Sequence, residues 1–320
     1  MFGWVGANRD GKVSSVKVSF VIPCFQSSNT LTQMVSDLAE RARAASFSFE
    51  IILVLDSREI ETYRVTSDVK AQFEEVKRIV LSKNVGQQAA TVAGIIESVG
   101  DIVVTLDDDY QQKPADCILL SERLINEPEI DLIYGVPNRP HQGFARRVSG
   151  SVFRKTMSLS GLGFFHFFSP LRAFRGAFRE VFLNAHGPHI VVDVALGWVV
   201  QAVRGQTCDF QKREDGRSGY RRGARLRLAV SFFTAHSTAP LQLGIYLGIG
   251  GAVISLFSGA VILFQTLFDG IVVPGFAATV LTILFVGSIQ LFLLGILGKY
   301  IGDQHRRGMG QPLYLVLARD

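Results

Sequence analysis

The sequence predicts an α/β domain with a mostly parallel sheet, followed by an interfacial helix and a two-helix transmembrane hairpin. Three observations carry this. Short β-branched runs alternate with helical periodicity over the first part of the chain, the pattern of βαβ units. Acidic and glycine-containing segments follow directly on those runs, where open α/β sheets place their ligands. Further along, charge disappears: Leu228–Phe268 and Gly270–Gly298 contain no Asp, Glu, Lys or Arg, and Asp269 is the single formal charge between Arg227 and Lys299.

Taken in order, Val16–Pro23 (VKVSFVIP) is a β-branched run closed by proline, the signature of a strand. Glu50–Leu55, Arg78–Leu81, Asp101–Leu106 and Asp131–Val136 read as four further strands. Helical spacing of apolar residues fills the gaps at Leu31–Ala44, Arg64–Glu74, Gln87–Val99 and Ala115–Asn126. The soluble domain is therefore expected over residues 1–220.

Residues 221–240 place Leu226, Leu228, Val230, Phe232 and Phe233 among arginines and small residues, with Pro240 as a break. Such a segment reads as a helix lying in a membrane interface, or as one packed on the soluble domain. Within 241–298, two stretches at about Leu241–Phe268 and Phe276–Gly298 reach the roughly 20 residues a bilayer crossing needs. Arg221, Arg222, Arg225 and Arg227 precede the pair; Lys299, Arg306, Arg307 and Arg319 follow it. The positive-inside rule puts both flanks in the cytoplasm, including a tail at 299–320. The expected location is the cytoplasmic (inner) membrane, multi-pass, with both termini cytoplasmic.

Composition excludes several classes. With 48% hydrophobic and 19% charged residues, the 320-residue chain is no disordered tail, collagen repeat or coiled-coil rod. The net charge of +5 is modest, and no nucleic-acid partner is expected. Cys24, Cys117 and Cys208 are too few and too scattered for a disulfide framework or a zinc site; burial as small core residues is expected. Met1–Val16 has no apolar h-region, so no secretory signal is expected.

Chemistry is expected at the strand ends. Asp56 follows the second strand, Asn84-Val85-Gly86-Gln87 the third, and Asp107-Asp108-Asp109 the fourth. Three adjacent carboxylates repel one another unless a cation joins them. In an extended segment Asp107 and Asp109 project to one side and Asp108 to the other, and such oxygen ligands suit Mg²⁺ or Mn²⁺ completed by substrate phosphates and water. A solvated turn or helix cap is the plainer alternative. Gly86 and Gln87 open a helix whose N-terminal amides meet phosphate or sugar oxygens, or simply cap it.

Together these segments resemble the polyprenyl-phosphate glycosyltransferases of glycosyltransferase family 2, in motif order and over nearly the whole chain. VSFVIPCFQSSNTL is similar to the family's opening strand and loop, NVGQQAATVAG to its N-x-G-Q-x-x-A-x-x-A-G helix start, and GDIVVTLDDDYQQKPAD to its G-D-x-V-V-x-x-D-x-D-L-Q-x-P-P-E signature. FARRVSGSVFRKTMS resembles an acceptor-phosphate region, REDGRSGY the R-x-x-G-x-S-x-Y element, STAPLQL the entry to the first span, and GKYIGDQHRRGMGQPLYLV the tail. Departures are Asp56-Ser57-Arg58 in place of an acidic pair, Tyr110 for Leu, Lys113 for Pro, Gln242 for Arg and Lys299 for Glu.

The resemblance implies a GT-A-like domain, a nucleotide-sugar donor with UDP-glucose or another UDP-sugar foremost, a divalent cation, a polyprenyl (undecaprenyl) phosphate acceptor and inversion at the anomeric carbon. It implies donor contacts from Pro23, Asp56, Asn84, Gly86, Gln87, Asp107, Asp108 and Gln111, with the metal on Asp107 and Asp109. Arg139, Arg147, Ser151 and Arg213 are the implied acceptor-phosphate residues; Arg147 and Ser151, four apart, share a helix face. Asp193 in HIVVDVALGW is the implied sugar-facing acid or base, or a helix-start residue. A homo-oligomer, a tetramer by resemblance, is expected. Two other readings differ in class or product: a catalytically silent nucleotide-sugar or lipid-binding membrane protein, favoured by the single acid at Asp56, and a processive synthase, which needs more spans and a Q-x-x-R-W element.

Overall fold

A computed structural model describes residues 16–27, 30–45, 47–57, 59–138, 167–183, 190–210 and 275–320, with fourteen helical positions between 244 and 268. The expected acceptor residues Arg139, Arg147, Ser151 and Arg213, and the expected interfacial helix at 221–240, lie outside the described residues. The chain divides into two compact units, Met1–Gly219 with Gly310–Asp320, and Tyr220–Met309.

The first unit is an α/β sheet structure. β1 (Lys17–Cys24), β2 (Ser48–Leu55), β3 (Val76–Leu81), β4 (Ile102–Thr105) and β5 (Leu132–Pro137) stand where the sequence predicts strands. α1 (Thr30–Ala44), α2 (Ile60–Gln72), α3 (Gln87–Glu97) and α4 (Pro114–Asn126) connect them. β6 (Arg172–Arg175), short α5 (Glu180–Leu183), α6 (Val192–Gly197), β7 (Val203–Cys208) and β8 (Val316–Arg319) are additions that the sequence reading missed.

Among the described residues the sheet has eight strands in the order β7-β5-β6-β4-β1-β2-β3-β8. β1 pairs in parallel with both β2 and β4, and β2 with β3. β6 lies antiparallel between β4 and β5, while β5 pairs in parallel with β7. The order reverses at β1, between β4 on one side and β2 on the other. That makes the carboxyl ends of β1 and β4 a topological switch point, where a ligand crevice opens.

Both faces of the sheet are covered, which is why β1 and β2 are apolar nearly throughout. Phe20, Ile22, Leu53 and Val104 face one core with Leu31, Met34, Leu38 and Cys117; Val21, Ile52, Val54 and Val103 face the other with Ala93, Ile95 and Leu196. α1 buries Leu31, Met34, Val35, Leu38, Ala39 and Ala42, a stripe at helical spacing. α4 begins on Pro114, whose missing N–H costs nothing at a first helical position. The three cysteines are free and buried, as expected.

α3 crosses the sheet closely at Gly94. A methyl group there would lie 2.9 Å from Val54 Cγ2 and against Val21. Neither branched side chain has a flexible end to swing aside, so Gly94→Ala should lose about 1–3 kcal/mol by overpacking. A thermal melt unchanged from wild type would show that α3 can lift off the sheet.

In the second unit, α7 spans Phe276–Gly308, about 50 Å at 1.5 Å per residue. Its stretch Phe285–His305 is long and apolar enough to cross a membrane. Among the described residues it is the one helix that meets this criterion; half of the expected first span lies outside the description, and its described positions are helical. The expected tail at 299–320 divides: its first part continues α7, and Val316–Arg319 returns to the first unit as β8, antiparallel to β3.

Candidate functional site

The site assembles from four strand ends. Asp56 follows β2, is 2% exposed, and accepts from Val85 N at 2.6 Å through Oδ1 and from Gly86 N at 2.8 Å through Oδ2. Burial pushes its carboxyl up, and the two amides pull it back. Asn84 Oδ1 also accepts from Gly86 N, at 3.0 Å. Gly86 has φ +89°, a conformation that glycine adopts without a Cβ penalty. The single acid that follows the second strand is thus a clamp on the turn that opens α3.

The acidic triplet is a turn, not the extended segment expected. Asp108 and Asp109 occupy it, and Tyr110 closes it at φ +56°, so strand alternation does not set their directions. Asp107 keeps its backbone in contact with Gln112 Oε1 at 2.7 Å, and its carboxylate accepts from Gln112 Nε2 at 3.4 Å and from Gln87 Nε2. Burial, then the neighbouring charge of Asp109, pushes the Asp107 carboxyl up to about 6. Asp108 accepts from Phe25 N at 3.1 Å and from Ser27 Oγ, tying β4 to the loop after β1 across the switch point. Asp109 Oδ1 accepts from Gln111 N at 3.2 Å.

Two contacts brace this turn from outside. Tyr110 OH donates to Asp37 on α1, and Lys113 Nζ donates to Asp209 Oδ2 beyond β7 at 2.7 Å. Both residues stand where the sequence departs from the pattern that it resembles. The Asp37 hydrogen bond, with burial, pushes the Tyr110 phenol up to about 12.

Asp193, in the first turn of α6, faces inward. Its Oδ1 accepts from Arg172 Nη1 at 2.6 Å and Tyr134 OH at 2.9 Å, and the residue is 6% exposed. Burial raises its carboxyl, and the Arg172 charge opposes that. The same guanidinium acts favourably on Asp107. Gln88 Oε1 accepts from Val192 N at 3.0 Å, so the adjacent glutamines of α3 reach two different parts of the site. Pro23 is buried within β1 and Gln111 is half-buried beside Asp109.

The structure therefore brings together Asp56, Asn84, Gly86, Gln87, Asp107, Asp108, Asp109 and Gln111 around the carboxyl ends of β1–β4. Sequence reasoning missed Gln88, Gln112, Tyr134 and Arg172. Gln112 carried a signal as the second glutamine after the triplet; Arg172 and Tyr134, inside short apolar runs, carried none.

Among the described residues no group of three or more His, Cys, Asp or Glu side chains is placed to hold a metal ion. The triplet fits a cation that takes part of its shell elsewhere. Carboxylate oxygens are hard ligands, and Mg²⁺ or Mn²⁺ characteristically uses one or two with substrate phosphates and water. The upward push on Asp107 from its neighbours is the cost that such a cation would remove.

A doubly covered, mostly parallel sheet with an acidic turn and a helix start at its switch point defines a class of α/β protein that takes its ligand at the carboxyl ends of its strands. The comparisons make it specific. The model of Glycosyl transferase family 2 matches residues 19–183, and the chain belongs to that family; it is a glycosyltransferase. A Synechocystis protein described as an uncharacterized glycosyltransferase is 25% identical over 312 residues, 94% of this chain and 95% of that one. The undecaprenyl-phosphate 4-deoxy-4-formamido-L-arabinose transferase of Yersinia pestis is 27% identical over 310 residues, 94% of this chain and 92% of that one. Mannosyl-3-phosphoglycerate synthase from Rubrobacter xylanophilus aligns with a TM-score of 0.50 at 15% identity, over 68% of this chain and 74% of that one. Glucosyl-3-phosphoglycerate synthase from Mycobacterium tuberculosis, crystallised with Mn²⁺, UDP-glucose and phosphoglyceric acid, aligns with a TM-score of 0.50 at 12% identity, over 69% and 80%. These two structures share the GT-A-like fold, and the likeness extends to the fold alone.

Proposed function

We propose that this protein transfers a sugar from a nucleotide sugar, UDP-glucose or another UDP-sugar, to a polyprenyl phosphate, with inversion. The acidic turn at the switch point, braced by Gln87 and Gln112, is the observation that carries the reading. The activity of the Yersinia relative, transfer to undecaprenyl phosphate, supports the acceptor.

Asp107 and Asp109 would hold Mg²⁺ or Mn²⁺, which when bound neutralises charge on the leaving diphosphate. Asp108, Gln111 and the β1 end at Pro23 frame the nucleotide beside it. Asn84, Gly86 and Gln87 present the α3 amides to phosphate or sugar oxygens, and Asp56 fixes that turn. Arg139, Arg147, Ser151 and Arg213 serve the acceptor phosphate, where charge-assisted contacts are strongest. A phosphate monoester has a second pKa of about 6, so the attacking oxygen is already anionic and needs no strong base. Asp193 accordingly acts by holding Arg172 rather than by taking a proton. The protein works at the cytoplasmic face of a membrane, anchored by its apolar helices with both termini cytoplasmic, and assembles as a homo-oligomer, a tetramer.

The test is direct. Purified protein, polyprenyl phosphate and a panel of nucleotide sugars with Mn²⁺ or Mg²⁺ should yield a glycosylated lipid by mass spectrometry for one donor. Transfer to no lipid phosphate, with intact donor binding, would refute the acceptor.

A further inference from the structure

We propose that the tail strand β8 is a positioning element for the donor side of the site: it holds the turn at 82–87 in the form that meets Asp56. The inference rests on the donor-side role given above to Asn84, Gly86 and Gln87.

β8 completes the sheet beside β3. Ile79 pairs with Arg319, Val80 with Ala318 and Leu81 with Val316, with an irregularity between Val80 and Leu81. The pairing continues past both strand ends. Arg78 N donates to Asp320 O at 2.9 Å and Asp320 N to Arg78 O at 3.0 Å; at the other end Ser82 N donates to Leu315 O at 2.9 Å. Ser82 is the first residue of the turn. The next bonded amides, Val85 N and Gly86 N, go to Asp56. The turn is thus slung between the tail at one end and the Asp56 carboxylate at the other.

Side chains fasten the tail to two helices. Arg78, 7% exposed, donates through Nε to Asp320 Oδ2 at 2.9 Å and through Nη2 to the same oxygen. Its Nη1 reaches Ser67 on α2, and its guanidinium lies 4.5 Å from the Tyr63 ring centre. Arg319 donates twice to Glu97 Oε1 on α3, at 3.0 and 2.8 Å. Leu313, Tyr314 and Val316 pack on the same core cluster as Val85.

Without β8, the Ser82 amide and the outer edge of β3 would turn to water, and Arg78 would keep a buried charge with one carboxylate fewer. A turn that spends a tenth of its time in the competent form binds its ligand about tenfold more weakly. The device also joins the donor turn in sequence to the apolar helix α7, which ends at Gly308.

The test uses full-length protein and surface substitutions that spare the core. Arg319→Glu with Asp320→Lys repels the tail from Glu97 and Arg78. Ala318→Pro removes an N–H on the side of β8 that faces β3, which the ladder cannot spare, and so guards against charge pairs too weak to free it. Hydrogen exchange at Val85 and Gly86, UDP-glucose titration with Mn²⁺, and KM against kcat for both substrates are the readouts. With the tail freed, the Val85 and Gly86 amides should exchange about tenfold faster, and donor Kd and KM should rise about tenfold. Acceptor KM, and kcat at saturating donor, should not change. Glu97→Arg placed in the Arg319→Glu background should restore both the exchange protection and the affinity. Faster exchange at 316–319 without change at Val85 and Gly86 would overturn the proposal. Wild-type protein that binds no nucleotide sugar would instead sink the functional reading, while the exchange result would still decide whether β8 holds the turn.

Discussion

Asp109→Asn is expected to abolish cation-dependent binding of the nucleotide sugar, while Arg147→Ala leaves that binding intact and cripples transfer. The first substitution keeps the side chain's shape and removes one charge from the turn proposed to hold the cation. Metal stabilisation of a leaving diphosphate is worth several kcal/mol, so turnover should fall roughly 10²–10³-fold. The second removes the charge-assisted contact proposed for the lipid phosphate, a class worth about 1.5–3 kcal/mol. It should appear as a higher KM for the lipid. Calorimetric titration of donor with Mn²⁺, beside turnover against lipid concentration, separates the two. Loss of donor binding in Arg147→Ala, with Asp109→Asn unaffected, would reverse the assignment of the sub-sites.

Arg172→Met should be among the most destabilising single changes in the first unit. Arg172 and Asp193 are 4% and 6% exposed and meet at 2.6 Å, with Tyr134 OH on the same carboxylate oxygen. Removing one partner strands the other's charge in the core, at a cost of about 3–5 kcal/mol. At the usual slope for a unit of this size, that is a melting temperature lower by roughly 6–20 °C. Asp193→Leu added to Arg172→Met should recover much of the loss, since a buried pair exchanged for apolar groups is often neutral. Asp193→Asn, which keeps a hydrogen-bond acceptor, should destabilise less than Arg172→Met. If it instead leaves stability untouched and removes turnover with a changed pH profile, Asp193 is a base after all.

The first five strands and four helices were legible because each is local. β1 is a β-branched run closed by Pro23 and Cys24; α1 carries six apolar residues at helical spacing. Strand ends led directly to Asp56, Gly86 and the triplet, since a parallel sheet puts loops of one kind at one end. The extended geometry expected for Asp107–Asp109 failed for a reason no spacing reveals. Asp108 is drawn to Phe25 and Ser27, and Tyr110 is held by Asp37, so the segment turns.

β6 reads as Arg172-Ala-Phe-Arg175, a poor strand by composition, yet all four residues are buried. Asp193 satisfies Arg172, and the carbonyls of Leu124, Glu127 and Ile130 satisfy Arg175. Those partners lie 21 to 51 positions away, beyond any local pattern. β8 is a second case: LVLAR follows an apolar helix and looks like the end of a tail, but the unpaired edge of β3 takes it up. Motif order and acidic residues after strands are properties of the chain itself, so the sequence alone determined the family and the strand ends at which its acidic residues gather. Which carboxylate is free to meet a ligand, and which is spent on an amide or a guanidinium, was decided by tertiary structure, because hydrogen-bond partners are chosen by distance in space and not by position in the chain.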